Sequence, residues 1–242
     1  MWGILPVSAS SYAGDIDFII ELITYIVGVW TIAAYAVFFG FIFMSRKKEG
    51  RKAGYFDGKG KQAAWILVPV VLIAICDFGL DIYNTPIWEK IKVTMPKTEQ
   101  TVRIVAQQWA WEFIYPGPDG LLDTPDDVRT WNMLHVKQNA PTRFELQAKD
   151  VLHSLSIPAF RVKQDAIPGR TIQGWFEPIK AGVYDVQCAE ICGLGHTNMG
   201  ARVTVHTPDK FKDALAAEAT PVNSGNSVIT AVASTTPATS TK

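Results

Sequence analysis

Within one short stretch, Cys188-Ala-Glu-Ile-Cys192-Gly-Leu-Gly-His196-Thr-Asn-Met199, two thiols, an imidazole and a thioether fall close enough to converge on a single point from one loop. These are soft or borderline donors, and together they favour copper over hard cations such as magnesium or calcium. The spacing Cys192-x-x-x-His196-x-x-Met199 alone suggests a loop that holds one copper. Cys188 adds a second thiolate, and because two thiolates can bridge two metals, the set reads as a binuclear copper centre. Three other readings stand beside it. A tetrahedral zinc site would leave Met199 without a role, a Cys188–Cys192 disulfide would leave His196 and Met199 unexplained, and a core loop with incidental Cys and Met would make the pattern coincidence.

Such a loop needs a distant ligand, and the chain has only three further histidines, His135, His153 and His206. His153 follows an alternating run from Thr142 to Ala148 that reads as a strand. It precedes a Pro-bounded turn, an arrangement that can hold its ring toward a neighbouring loop. His135 and His206 lie inside alternating stretches and read as surface strand residues. His153 is therefore the expected partner of the Cys188–Met199 loop.

The elements that must position these residues begin in a membrane. Ile16 to Met44 is overwhelmingly apolar, with Asp17 and Glu21 confined to its first turns, and Ala63 to Tyr83 is a second apolar run, with Asp77 and Asp81 near its far end. Each exceeds the roughly 20 residues a helix needs to cross the hydrocarbon core. Residues 45–61 between them carry seven basic and two acidic side chains, so the positive-inside rule puts the loop 45–62 in the cytoplasm. The N-terminus and everything after Tyr83 then lie on the outer side. The first run is too long for a signal-peptide core, and its basic cluster follows rather than precedes it, which predicts a retained helix. Cys76, inside the second run, reads as a small buried apolar residue. With 23 basic and 23 acidic residues overall, there is no cationic excess to bind nucleic acid.

Residues 93–208 are enough for one compact domain. Thr101–Ala106, Arg143–Gln147, Val183–Gln187 and Ala201–Val205 alternate or nearly alternate, with Pro and Gly clusters between them, which predicts an antiparallel β-sandwich or Greek-key barrel. From Thr220 onward Ser, Thr, Ala, Asn and Pro dominate, the composition of a disordered tail. The expected organisation is a membrane hairpin over 1–92, an external domain over 93–208, and a C-terminal extension and low-complexity tail over 209–242.

The pairing of Asp150-Val-Leu-His153-Ser with Cys188-x-Glu-Ile-Cys192-Gly-x-x-His196-x-x-Met199 resembles subunit II of the haem–copper cytochrome c oxidases. Lys163-x-Asp165-Ala-Ile-Pro168-Gly169-Arg170 and Gln108-Trp109-x-Trp111 match further stretches of that family in the right order. The resemblance implies a helical hairpin carrying a cupredoxin-like Greek-key domain, with the copper loop between its last two strands. It also implies a binuclear copper (CuA) centre in which Cys188 and Cys192 bridge two coppers. His153 and His196 would each give a ring nitrogen, Met199 a weak thioether contact and Glu190 its backbone carbonyl. The Glu190 carboxylate would face a magnesium ion at the subunit I interface, a role suited to a hard, oxygen-preferring cation. Trp109 corresponds to the residue through which electrons arrive from a c-type cytochrome, whereas Trp111 reads as core, alternation putting the two on one face. Implied partners are subunit I with its haem and CuB, subunit III, the cytochrome donor and the bilayer of a bacterial plasma membrane. No Cys-x-x-Cys-His occurs, so no covalent haem is expected on this chain.

Two segments depart from the commonest family pattern. The loop Tyr115–Val128 carries Asp119, Asp123, Asp126 and Asp127, which could steer a basic donor, bind calcium, or simply be solvated. Three residues before Trp65, where many relatives carry a carboxylate near a proton channel, stands Gln62, which cannot titrate; Glu49 and Asp57 are nearby. Rival functions are a quinol oxidase subunit II, which lacks the metal ligands, a membrane-tethered copper store, which would not need Trp109, Glu190 or the segment Asp165–Arg170, and the CuA subunit of a nitric-oxide or nitrous-oxide reductase.

Overall fold

The computed structural model describes residues 5–52, 54 and 57–218, so the tail expected from Thr220 lies outside the described residues. Two long helices, α1 (Ala13–Met44) and α2 (Ala64–Trp88), form an antiparallel pair. Phe18 meets Tyr83 at one end, with ring centroids 5.1 Å apart, and Phe41 approaches Trp65 at the other. At 1.5 Å rise per residue α1 is about 48 Å long, ample for a hydrocarbon core of about 30 Å. The apolar windows of both helices face outward, and helices apolar all round belong in lipid or against other membrane helices. The second helix continues past Tyr83, where its apolar run ends. It runs through Pro86 and loosens into a π-type turn over Glu89–Val93, the kind of local widening helices use at such points. The loop below is ordered locally by Gln62, whose side-chain oxygen accepts the backbone N–H groups of Asp57 and Gly58.

Ten strands follow, in two five-stranded sheets packed face to face. One sheet has the order β3 (Val128–Trp131), β2 (Ala110–Tyr115), β1 (Gln100–Gln107), β5 (Thr142–Ala148), β8 (Ile172–Phe176). The other runs β4 (Met133–Lys137), β10 (Gly200–His206), β9 (Gly182–Cys188), β6 (His153–Ile157), β7 (Val162–Ala166). Side chains alternate as the pleat demands: Phe144 and Leu146 of β5 point inward while Arg143 and Glu145 do not. Trp111, Phe113, Ile104, Leu134, Leu155, Ile157, Phe160 and Phe176 fill the interior. The sheets are mixed rather than antiparallel, because β1 pairs parallel with β5 and β10 parallel with β4. Alternation reports which face a residue takes but not strand direction, and the long connections between these partners bring the chain back in the same sense. A final helix, α3 (Phe211–Glu218), rests against β4.

Residues 5–12, before α1, belong to the sandwich as much as to the hairpin. Ala9 and Tyr12 are buried in its core. Ser10 bridges to Pro178, Ala9 exchanges backbone hydrogen bonds with Ala159 and Ile179, and the Tyr12 hydroxyl donates to the Trp175 carbonyl at 3.1 Å. One turn into α1, the buried Asp17 carboxylate accepts from Arg161 Nε at 2.6 Å and Nη2 at 3.0 Å. Arg161 also donates to the carbonyls of Pro6 and Pro158. A buried pair of this kind is costly to break singly, since the remaining charge has no water to solvate it. Asp17→Ala should therefore lower the stability of the sandwich by about 3 kcal/mol, read as a shifted denaturant midpoint of the near-ultraviolet dichroism in detergent; an unchanged midpoint would show that the clasp is not structural.

Candidate metal centre

The ladders decide where the sulfur and nitrogen donors lie. In the β9–β10 pair Gln187 stands opposite Gly200, so Cys188, at the end of β9, faces Met199, and its N–H donates to the Met199 carbonyl at 3.2 Å. Both ends of the loop 189–199 are thus pinned to one rung. On the other side of β9, Leu155 of β6 stands opposite Cys188, and Ala189 N–H donates to Ser154 O at 2.9 Å. That register brings His153, the first residue of β6 rather than the end of β5, to the loop.

All the sulfur and ring-nitrogen donors singled out in the sequence meet there. Cys188 Sγ lies 3.8 Å from Cys192 Sγ, 3.9 Å from His153 Nδ1 and 3.3 Å from the Glu190 carbonyl oxygen. Cys192 Sγ is 3.6 Å from His196 Nδ1 and 3.7 Å from Met199 Sδ. His153, Cys192 and Met199 are buried, while Cys188, Glu190 and His196 are partly covered. Both cysteines are free thiols, their sulfurs far beyond an S–S bond of about 2.05 Å. Two metal–sulfur contacts of about 2.3 Å can still span them. The other two histidines are elsewhere, stacked on each other with His135 Nδ1 2.9 Å from His206 Nε2. His135 is not a surface residue but 3% exposed, because β4 runs between β10 and the packed face of α3.

Trp109 sits in the turn between β1 and β2, outside the ladder, so alternation with Trp111 does not apply to it. It is 41% exposed, whereas Trp111 is fully buried and meets the His153 ring edge-on at 6.3 Å. The Trp109 indole N–H donates to the Cys192 carbonyl at 3.2 Å, and the Gln108 side-chain amide donates to the same oxygen at 2.8 Å. The loop glycines make room for this: a Cβ on Gly195 would lie 2.3 Å from Trp109 Cδ2, and Gly193 adopts φ +115° beneath the same ring.

One contributor was not singled out by the sequence reading. Asp150 Oδ1 accepts the Nε2–H of His153 at 2.8 Å, which orients the ring so that Nδ1 is the nitrogen facing the sulfurs. Burial works against the Asp150 carboxylate, but hydrogen bonds from His153 and from the backbone of Gln108 and Val151 outweigh it and hold it below the usual carboxylate range. The signal was available as an Asp three residues before a ligand His. The acidic loop, in contrast, engages several of its carboxylates in local contacts and one with β1. Asp127 is 5% exposed and caps Asp123 N–H, Asp126 accepts from the Thr124 hydroxyl, and Asp123 pairs with Arg103 at 2.5 Å.

The donor set, two thiols, two imidazole nitrogens, a thioether and a carbonyl oxygen around two sulfurs, fits a soft metal and gives every member a place. A zinc tetrahedron would leave Met199 idle. Fold and site together define a membrane-anchored, cupredoxin-like protein with a cysteine-centred candidate metal loop. Residues 124–206 match the family "Cytochrome C oxidase subunit II, periplasmic domain". The chain is 33% identical over 223 residues to the alternative cytochrome c oxidase subunit 2 of Bradyrhizobium diazoefficiens, covering 82% of this chain and 78% of that one. It is 27% identical to cytochrome c oxidase subunit 2 of Cereibacter sphaeroides, covering 84% and 76%. A probable subunit 2 of Rickettsia felis is 34% identical over 170 residues, and there the match covers 64% of this chain and about half, 51%, of the relative. Among solved structures, the periplasmic domain of subunit II from Bradyrhizobium japonicum is 28% identical and aligns over 52% of this chain and 96% of that one, with a TM-score of 0.46. The chain belongs to the cytochrome c oxidase subunit II family.

Burial, reinforced by the hydrogen bond with and the proximity of Cys188, pushes the Cys192 thiol up to about 11. Below that pH the group is a thiol, and metal must displace its proton. Each unit rise in pH raises the thiolate fraction about tenfold, so from this group alone copper affinity should be roughly 100-fold higher at about pH 8 than at about pH 6. Competition against a copper chelator of known protonation constants measures this; an affinity independent of pH would exclude the thiolate as a ligand.

Proposed function

We propose that this chain is the electron inlet of a respiratory cytochrome c oxidase. A binuclear copper centre held by His153, Cys188, Glu190, Cys192, His196 and Met199 would accept electrons one at a time from a c-type cytochrome. They would continue to haem in subunit I, where oxygen is reduced to water with proton pumping. The observation that carries the reading is the meeting of both thiols, both imidazoles and the thioether at one end of the sandwich, in a chain of this family. When bound, the copper pair supplies a one-electron couple shared between two ions.

The chain's own residues do the rest. Cys188 and Cys192 would hold the copper pair through their sulfurs, His153 and His196 through their Nδ1 atoms, Met199 through its thioether and Glu190 through its carbonyl oxygen. Strand ends fixed by ladder hydrogen bonds hold these donors nearly still, which keeps reorganisation small when charge changes. Trp109 offers a donor protein an aromatic face, and interfaces are enriched in such residues. Its N–H bond to the Cys192 carbonyl ties that face to a ligand. Asp119 and Asp126, exposed in the loop beside β2, favour a basic donor, although Arg103 offsets Asp123. The Glu190 carboxylate would turn to a magnesium ion shared with subunit I. The outward-facing apolar helices fit a two-pass anchor against lipid, subunit I and subunit III in a bacterial plasma membrane. In this arrangement the basic loop 45–62 is cytoplasmic, and the N-terminus and the copper domain are on the periplasmic side. The functional division is then a hairpin (1–92), a copper domain (93–208) that also takes in the clasp around Ala9 and Tyr12, and a C-terminal extension (209–242). Gln62, committed to its own loop, leaves proton uptake to other groups.

Cys188→Ser and Cys192→Ser should each abolish the paramagnetic resonance signal of one electron shared by two coppers; an unaltered spectrum would refute the ligand set. Trp109→Ala should slow reduction by the c-type cytochrome by about tenfold or more while copper content stays intact, and equal turnover with the native donor would remove Trp109 from the path.

A further inference from the structure

We infer that Asp150 is a positioning residue that ties the ligand His153 and the electron-uptake residue Trp109 into one hydrogen-bonded frame around the metal centre; the inference rests on the copper reading above. Its two carboxylate oxygens divide the work. Oδ1 accepts the His153 Nε2–H at 2.8 Å and the Val151 backbone N–H at 2.7 Å, while Oδ2 accepts the backbone N–H of Gln108 at 2.7 Å. Gln108 is the residue before Trp109, and both side chains donate to the Cys192 carbonyl, at 2.8 and 3.2 Å. The path therefore runs from one ligand, His153, through Asp150 to the Gln108–Trp109 turn, and from there to a second ligand, Cys192. It closes on itself through the metal loop.

The chemistry explains why a carboxylate stands there. Three N–H donors converge on the group from two sides, so both oxygens must accept. Asparagine has one acceptor oxygen and a donor NH2, which must face an N–H on one side or the other. A residue that merely shaped the turn at 149–152 would need only the local bond to Val151, which asparagine makes as readily as aspartate. Asp150→Asn thus keeps the turn and breaks the frame, separating the two roles. Trp111 backs His153 from the core side at 6.3 Å, so the ring is held by packing on that side and by Asp150 at its outer nitrogen.

The test uses the full chain in detergent, loaded with copper, with Asp150→Asn beside the wild type. The variant should retain its copper but show altered copper hyperfine splitting and a shifted reduction potential. In the reduced, diamagnetic protein, the Trp109 indole N–H resonance, assigned through Trp109→Phe, should move. Reduction by a c-type cytochrome should slow about tenfold, measured at an ionic strength that screens the lost surface charge. A variant with wild-type hyperfine splitting, potential and indole resonance would overturn the inference, even if its reduction slowed, because the carboxylate would then act only in docking. If the wild type itself gave no shared-electron signal, the copper reading would fail and take this inference with it. Should the variant not take up copper, nitrogen-15 spectra of the copper-free wild type decide. A His153 proton on Nε2 that is protected from exchange supports the frame, and a proton on Nδ1 overturns it.

Discussion

The rung that joins Cys188 to Met199 is the constraint on which the site depends. Without it, the loop 189–199 would be a glycine-containing surface segment whose thiols and imidazole had no fixed separation. With Cys188 N–H bonded to the Met199 carbonyl, the first and last sulfur donors are held across one antiparallel pair, and the intervening residues fold back over that point. The neighbouring β6 ladder then adds His153 from a segment 35 residues away in sequence. Backbone hydrogen bonds at the strand ends thus do the positioning. The ligand side chains are spared from paying their own ordering entropy when metal arrives.

The same logic extends outward. Trp109 is held against the loop because Gly193 and Gly195 leave no Cβ in its way, and Trp111, two residues on, closes the core beneath His153. At the opposite end, the Asp17–Arg161 pair and the strand-like contacts of Ala9 and Ser10 anchor the sandwich to the first turn of α1. On the function proposed above, in which charge passes to a membrane partner, such a fixed mounting matters because small displacements of a reacting pair are costly.

Much of this was legible in the residues. Donor softness and spacing singled out a loop whose donors the fold brings together, the length of the apolar runs identified the helices, and alternation in Thr142–Ala148 marked a strand whose bounds the structure reproduces. What the sequence could not convey was direction and depth. Alternation is the same for parallel and antiparallel neighbours, so the β1–β5 and β4–β10 pairings were hidden. It is also the same for a strand covered on one face or two, so His135 read as exposed. Alternation put Trp109 and Trp111 on one face because nothing in their spacing announced that the strand begins at Ala110. For the acidic loop, steering, calcium binding and simple solvation all stayed open, because the contacts of its carboxylates with Thr124, Arg103 and backbone N–H groups exist only in the folded loop.

The central claim is that two thiolates from one pinned loop bridge two metal ions. Copper-edge X-ray absorption on the copper-loaded full chain measures this, because two coppers sharing the Cys188 and Cys192 sulfurs lie close enough for each to scatter from the other, whereas a lone copper shows only its own ligands. The account predicts two coppers per chain, sulfur and imidazole nitrogen in the first shell, and a distinct copper–copper contribution. A single copper per chain with no such contribution would contradict it.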